Sequence, residues 1–272
     1  MEKADPRKIG RLISSNTNVE GEGLIMALIV VTGRGGAGKT TTTANLSSVL
    51  ASKEYRVLAI DGDLYLPNLG FHFSLDNVRY TLHSLLKNPD LDPEWAIYKH
   101  GPTGVHVMPG SSQLHDVLGI SPRRLTDLLE RVKYKFGVIF IDSPTGIPFD
   151  TLPTFELAGY QLIVVEIERS PIYSFETMVK NEIEKLKAIG ERYKLNIGVI
   201  LNKVREAEDV VEKLIDTIEE DLDVPVLGWV PFDNTVPESI NAGIPVVNYA
   251  PWTDAAIAFK ETGNLLEEWI FG

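Results

Sequence analysis

The feature that most constrains the fold of this chain is an alternation. Short runs of apolar, largely β-branched residues are followed by segments with helical periodicity. The runs are Leu28–Val31, Val57–Ile60, Val105–Met108, Val138–Ile141, Leu162–Val165, Ile197–Leu201 and Val224–Val230. Helical periodicity marks Thr40–Ala51, Arg123–Val132, Phe175–Ile189 and Ala207–Leu222. Strands that are apolar almost without interruption are covered on both faces. The expected fold class is therefore α/β, a mostly parallel twisted sheet with helices on both sides. Residues 24–272 hold no repeat and no Pro- or Gly-rich linker, so they read as a single domain. Residues 1–23 are polar without a clear period and read as a flexible N-terminal extension, or else as a partner-binding arm. Met26 is a second plausible start.

Directly after the first apolar run, residues 33–40 read GRGGAGKT, and a helical segment follows. This fits the P-loop pattern G-x-x-x-x-G-K-[ST] in the strand–loop–helix context that the pattern requires. The cradle comprises Gly33, Arg34, Gly35, Gly36, Ala37, Gly38, Lys39 and Thr40. Its glycines permit backbone conformations that turn amides toward phosphate oxygens, and the helix start adds a positive dipole end. Lys39 supplies charge to the β/γ-phosphates, the Thr40 hydroxyl suits Mg²⁺, and Thr41 can bond the α-phosphate. Two alternatives fit the same stretch. One is a Gly-rich turn that binds nothing. The other is a dinucleotide fold, since Gly33, Gly35 and Gly38 also satisfy G-x-G-x-x-G and Asp61 follows the next strand. Neither needs Lys39 and Thr40 together.

Aspartates follow two further strands: Asp61 and Asp63 in DGDLYLPNLG, and Asp142 in DSPTG. A hard cation such as Mg²⁺ takes oxygen ligands, and a strand-end aspartate reaches it directly or through water. Each one alone could merely cap a helix. Together beside a P-loop they supply a metal side, Asp61 and Asp142, and a water-positioning candidate, Asp63.

Taken in order, GRGGAGKTTTTANL, DGDLYLPNL, DSPTGI, LNK and VPFDNTVPESINAGIPV resemble the MinD/ParA family of deviant Walker A ATPases over about residues 26–250. The likeness is nearer to archaeal MinD-like members than to plasmid ParA proteins. It implies a P-loop NTPase fold and an ATP-dependent homodimer, with ATP and Mg²⁺ between facing P-loops. Hydrolysis then separates the pair, and a protein effector reads the state. By the same resemblance Lys39 and Thr40 hold phosphates and Mg²⁺, Asp63 orients the attacking water, and Asp61 and Asp142 lie on the Mg²⁺ side. Asn202 contacts adenine, although a turn-forming asparagine is its plainer reading, and Pro231 and Asp233 flank the base. Arg34 stands where the family carries a second lysine that reaches the partner's phosphates. Arginine keeps the charge and adds a planar fork. It either acts as an arginine finger or misplaces the charge and leaves slow turnover. A nucleotide-dependent scaffold with little hydrolysis and a small-molecule P-loop kinase stay open as alternatives.

Composition narrows the partners. The formal net charge is −12, which disfavours DNA and disfavours an anionic membrane unless a partner helps. With no cysteine, thiolate and iron–sulfur chemistry are excluded. Iron–sulfur scaffold ATPases, the nitrogenase iron protein and the tail-anchored-protein targeting ATPase, which share a similar P-loop but need cysteines, are set aside with them. No apolar run approaches the ~18 residues of a membrane span. The first 23 residues hold no secretory pattern, so the expected location is cytoplasmic. Residues 253–270 look helical and amphipathic, but their acidic balance suits docking onto the domain better than a membrane surface. His72, His83, His100, His106 and His115 show no metal-ligand spacing and read as structural or exposed.

Overall fold

The structure is a computed structural model describing residues 27–121, 123–146, 151–167 and 174–272. The N-terminal extension and Met26 lie outside the described residues. The apolar runs become strands. In chain order the elements are β1 (Ala27–Thr32), α1 (Lys39–Ser52), β2 (Val57–Asp61), α2 (Leu82–Lys87), β3 (Tyr98–Lys99) and β4 (His106–Met108). Next come α3 (Leu114–Val117), α4 (Arg124–Val132), β5 (Val138–Asp142), α5 (Leu152–Phe155), β6 (Tyr160–Glu166) and α6 (Phe175–Arg192). The chain then forms β7 (Asn196–Val204), α7 (Glu208–Leu222), β8 (Val226–Pro231), α8 (Thr235–Asn241), α9 (Val246–Tyr249) and α10 (Asp254–Phe271). The strands lie side by side as β3-β4-β2-β5-β1-β6-β7-β8, and among the described residues only the β3–β4 pair is antiparallel. No apolar run announces β3. It is a two-residue edge strand, half-buried to exposed, and lacks the apolar signature of the central strands.

Alternation along β1 sorts its side chains onto the two faces of the sheet. Ala27, Ile29 and Val31 join one core with Leu46 and Leu50 of α1 and Phe259 and Leu266 of α10. Leu28 and Val30 face the other way, against Leu85 of α2 and Leu128 and Leu129 of α4. Farther along that second face, α6 and α7 cover Ile163, Val165, Val199 and Leu201. Strands β1, β2 and β5 are buried on both sides along their whole length, which is why their sequences are apolar without alternation.

Helix α10 docks on the domain, as its acidic sequence suggests. Its apolar stripe, Phe259, Leu266 and Ile270, is buried, and Trp269 packs beside it against Tyr160. Gly263 lets α10 approach α1 closely, because a β-carbon there would lie 2.5 Å from a methyl of Val49. The face that a membrane-surface helix would present is thus already consumed. No helix among the described residues is long and apolar enough to cross a membrane. Because Leu266 is fully buried, Leu266→Ala should destabilise the fold by about 2–5 kcal/mol in urea unfolding. A loss below about 1 kcal/mol would show that α10 is not part of the core.

Candidate nucleotide site

Register places the site. In the parallel ladders Val31 pairs with Asp142, and Asp61 pairs with Asp142. The end of β5 therefore stands between the loop after β1 and the end of β2, at the carboxyl edge of the sheet where α/β folds bind ligands. The first turn of α1 closes onto this edge through Thr40, whose hydroxyl donates to Asp142 Oδ2 at 2.6 Å.

Loop 33–38 is held by its carbonyls. Lys39 Nζ donates to the Arg34 oxygen at 3.1 Å, Lys203 Nζ to that of Gly36, and Asn202 Nδ2 to that of Ala37 at 2.8 Å. Two loop amides are spent within the fold, that of Arg34 on Glu182 and that of Ala37 on the Arg34 carbonyl, and the remaining loop amides suit an anion. Two glycines are compulsory on contact grounds. A β-carbon on Gly33 would lie 2.3 Å from the Val164 carbonyl, and one on Gly38, at φ +93°, would lie 2.2 Å from Asn202 Nδ2.

A cavity of about 490 Å³ opens beside this loop. Lys39, Thr40, Thr41, Asp63 and Asp142 line its polar end. Val230, Pro231, Phe232, Val236, Pro237 and Ile240 form an apolar wall suited to a flat base. Burial lowers the pKa of Lys39, and Asp142, Asp63 and Glu182 oppose that shift.

The two buried aspartates are the electrostatic centre. Burial pushes Asp142 up to about 7, with Asp63 adding to the rise while the Thr40 bond and Lys39 pull against it. Asp61 is raised well above the ordinary carboxylate value, first by burial and then by Asp142. Each keeps one buried oxygen, Asp61 Oδ1 and Asp142 Oδ1, without a hydrogen-bond partner. The unpartnered Asp142 oxygen, next to the Thr40 hydroxyl on the cavity wall, fits a divalent cation such as Mg²⁺, with Asp61 on the adjacent strand. No cluster of three or more His, Cys, Asp or Glu able to hold a metal occurs among the described residues.

The remaining expected residues are placed as follows. Asp61 lies behind Asp142, and its Oδ2 accepts from the Leu69 amide at 2.9 Å, so it orders the following segment. Asp63 Oδ1 accepts from the Tyr65 and Leu66 amides while the side chain borders the cavity. Asn202 spends one amide proton on the loop and also borders the cavity. Asp233 accepts from the Thr235 and Ala255 amides, capping α8 and supporting α10, and Pro231 lies in the apolar wall. Beyond those expected residues, Gly146 at the end of DSPTG gives its amide to the Gly33 carbonyl at 3.3 Å. Arg34 turns toward α6. Its Nε lies 3.4 Å from Glu182, its Nη2 lies 3.9 Å from Glu166, and its amide donates to Glu182. Sequence reasoning missed Lys203, Glu182, Glu166 and His72. His72 borders the cavity and is neither remote nor exposed.

Sheet order, cradle and carboxylate pair together define a P-loop nucleotide-binding protein of the doubly wound α/β class. Residues 28–246 match the family model described as the CobQ/CobB/MinD/ParA nucleotide binding domain, and the chain belongs to that family. An uncharacterized ATP-binding protein of Methanocaldococcus jannaschii is 33% identical, over 88% of this chain and 86% of its own length. The cell division ATPase MinD of Pyrococcus furiosus superposes with a TM-score of 0.78 at 31% identity, covering 89% of this chain and 98% of that one. The septum site-determining protein MinD of Pyrococcus horikoshii, complexed with Mg-ADP, gives 0.76 at 30% identity, covering 89% and 96%.

Asp142 yields a test that needs no ligand. Its carboxyl ionises near 3.8 when unfolded and near 7 when folded. Folding stability is therefore lost as pH rises across that window. Asp142→Asn removes the penalty. The ligand-free variant should melt several degrees above wild type near pH 8, and the gain should vanish near pH 4. An equal or lower Tm near pH 8 would show that Asp142 ionises there without cost.

Proposed function

We propose that this chain is a MinD-like ATPase switch that binds ATP and Mg²⁺, dimerises around them and signals to a protein effector. The observation that carries the reading is the Thr40–Asp142–Asp61 arrangement beside a loop whose carbonyls are held by Lys39, Asn202 and Lys203. Thr40 and Asp142 would hold Mg²⁺, with Asp61 behind them. The ion would neutralise charge on the phosphates and so ease attack at phosphorus. Loop amides and Lys39 bind and orient the phosphates. Asp63 keeps Oδ1 for the Tyr65 and Leu66 amides, leaving Oδ2 to orient a water. The apolar wall around Pro231 receives the base, with Asn202 at its inner end. The Mg-ADP complex of the Pyrococcus horikoshii relative supports the choice of ligands.

Arg34 favours a second reading. Its side chain is engaged by Glu182 and Glu166 of its own subunit. It reaches a partner's phosphate only after those contacts break. A chain in which they persist would bind ATP and turn over slowly, as a nucleotide-dependent scaffold.

Lys39→Ala should abolish ATP binding in calorimetry. Asp63→Ala should keep binding, lose about 10²–10⁴-fold in phosphate release and hold an ATP-dependent dimer in light scattering. Normal hydrolysis by the Asp63 variant would overturn its role. Wild-type turnover near background with tight ATP binding would select the scaffold. Phosphate appearing on a metabolite rather than in water would select a kinase. Partners captured only with ATP present would identify the effector.

A further inference from the structure

His72 lies on a 3₁₀ turn, Leu69–Phe73, and is 7% exposed. It borders the same cavity as Thr41. Its Nδ1 is 3.2 Å from the Asn68 carbonyl oxygen and its Nε2 is 3.1 Å from Thr41 Oγ1. A carbonyl only accepts, so Nδ1 carries the proton. A neutral imidazole has one N–H, so Nε2 is a lone pair and Thr41 must donate to it. The Thr41 proton is then turned away from the place where a phosphate would sit.

A phosphate oxygen also accepts. A nucleotide against the first turn of α1 therefore competes with His72 for a single proton. If the hydroxyl swings to the phosphate, buried Nε2 loses its partner, and an unpaired buried polar atom is unfavourable. A proton on Nε2 removes the conflict. Nε2–H then donates to Thr41 Oγ1, and the Thr41 hydroxyl donates to the phosphate.

We propose that His72 is a positioning residue that aims the Thr41 hydroxyl at the nucleotide phosphates and takes up a proton when the nucleotide binds. This rests on the nucleotide-binding reading above. The elements packed against the turn are α1, β2, β4 and α8. They carry Lys39, Asp61, His106 and Glu238 as their nearest ionisable groups, and Asp63 and Asp142 line the cavity with His72. Burial holds the free imidazole near 4, and the Asn68 bond only partly opposes this. A bound polyphosphate adds negative charge and an acceptor, and both raise that value. The sign follows. Binding takes up a proton, so the His72 contribution to affinity grows as pH falls through the bound-state value toward about 4.

The test is calorimetric titration with MgADP near pH 6, in two buffers of different ionisation enthalpy. Wild type is compared with His72→Gln and Thr41→Ala. Gln places an amide donor near Nε2 and needs no proton. Wild type should take up as much as one proton more than either variant, and His72→Gln should bind with a flatter pH profile. Nucleotide and carboxylate protonation are common to all three proteins and cancel in the difference. If His72→Gln fails to fold, the comparison with Thr41→Ala still decides. Equal proton uptake in wild type and variants overturns the inference and leaves the nucleotide reading intact. Absence of MgADP binding by wild type overturns the nucleotide reading itself.

Discussion

Everything at the carboxyl edge of this sheet depends on two aspartates buried side by side. Asp61 and Asp142 are register partners on adjacent strands, almost without solvent access. Burial strips each of hydration and pushes both carboxyls upward, with Asp142 adding to the rise of Asp61 and Asp63 to that of Asp142. Apolar packing on both sheet faces offsets that cost. The strain is local and useful. A cation meeting the unpartnered oxygens would favour the ionised carboxylates and offset the cost of burying them.

The phosphate loop shows the same logic in the backbone. Its oxygens are held by Lys39 in the following helix and by Asn202 and Lys203 from the end of β7. Lys203 adopts a left-handed conformation, φ 55°, and also reaches Glu166, which lies near Arg34. Glu182 of α6 accepts from the Arg34 amide and pairs with its side chain. The loop is thus preorganised by elements far away in sequence. The Arg34 side chain is held by two carboxylates. A site arranged this way meets its ligand with little reorganisation.

Much of this was legible in the chain. Continuous apolar runs identify doubly buried strands because both faces of a parallel sheet need apolar side chains. Glycines followed by Lys39 and Thr40 identify a phosphate cradle because few other uses need that spacing. Other parts carried no pattern. Edge strand β3 is too short for periodicity, and α8 and α9 are single turns or little more. Glu182 sits in a helix with charges of both signs, where nothing distinguishes it from solvated neighbours. His72 has no companion at metal-ligand spacing and so looked ordinary. Its position opposite Thr41 exists only because the turn after β2 folds back over α1.

The sequence by itself determined the class of fold, the loop that can bind phosphate and the carboxylate-bearing strands, since these follow from local periodicity and local backbone freedom. Tertiary structure alone decided which carboxylates meet. It also decided which oxygens remain unpartnered, where Arg34 is held and which histidine touches the site. The physical reason is strand order. With β5 inserted between β1 and β2, residues about 80 to 100 positions apart become neighbours across one 2.6 Å hydrogen bond and one register pair, and no local pattern encodes that insertion.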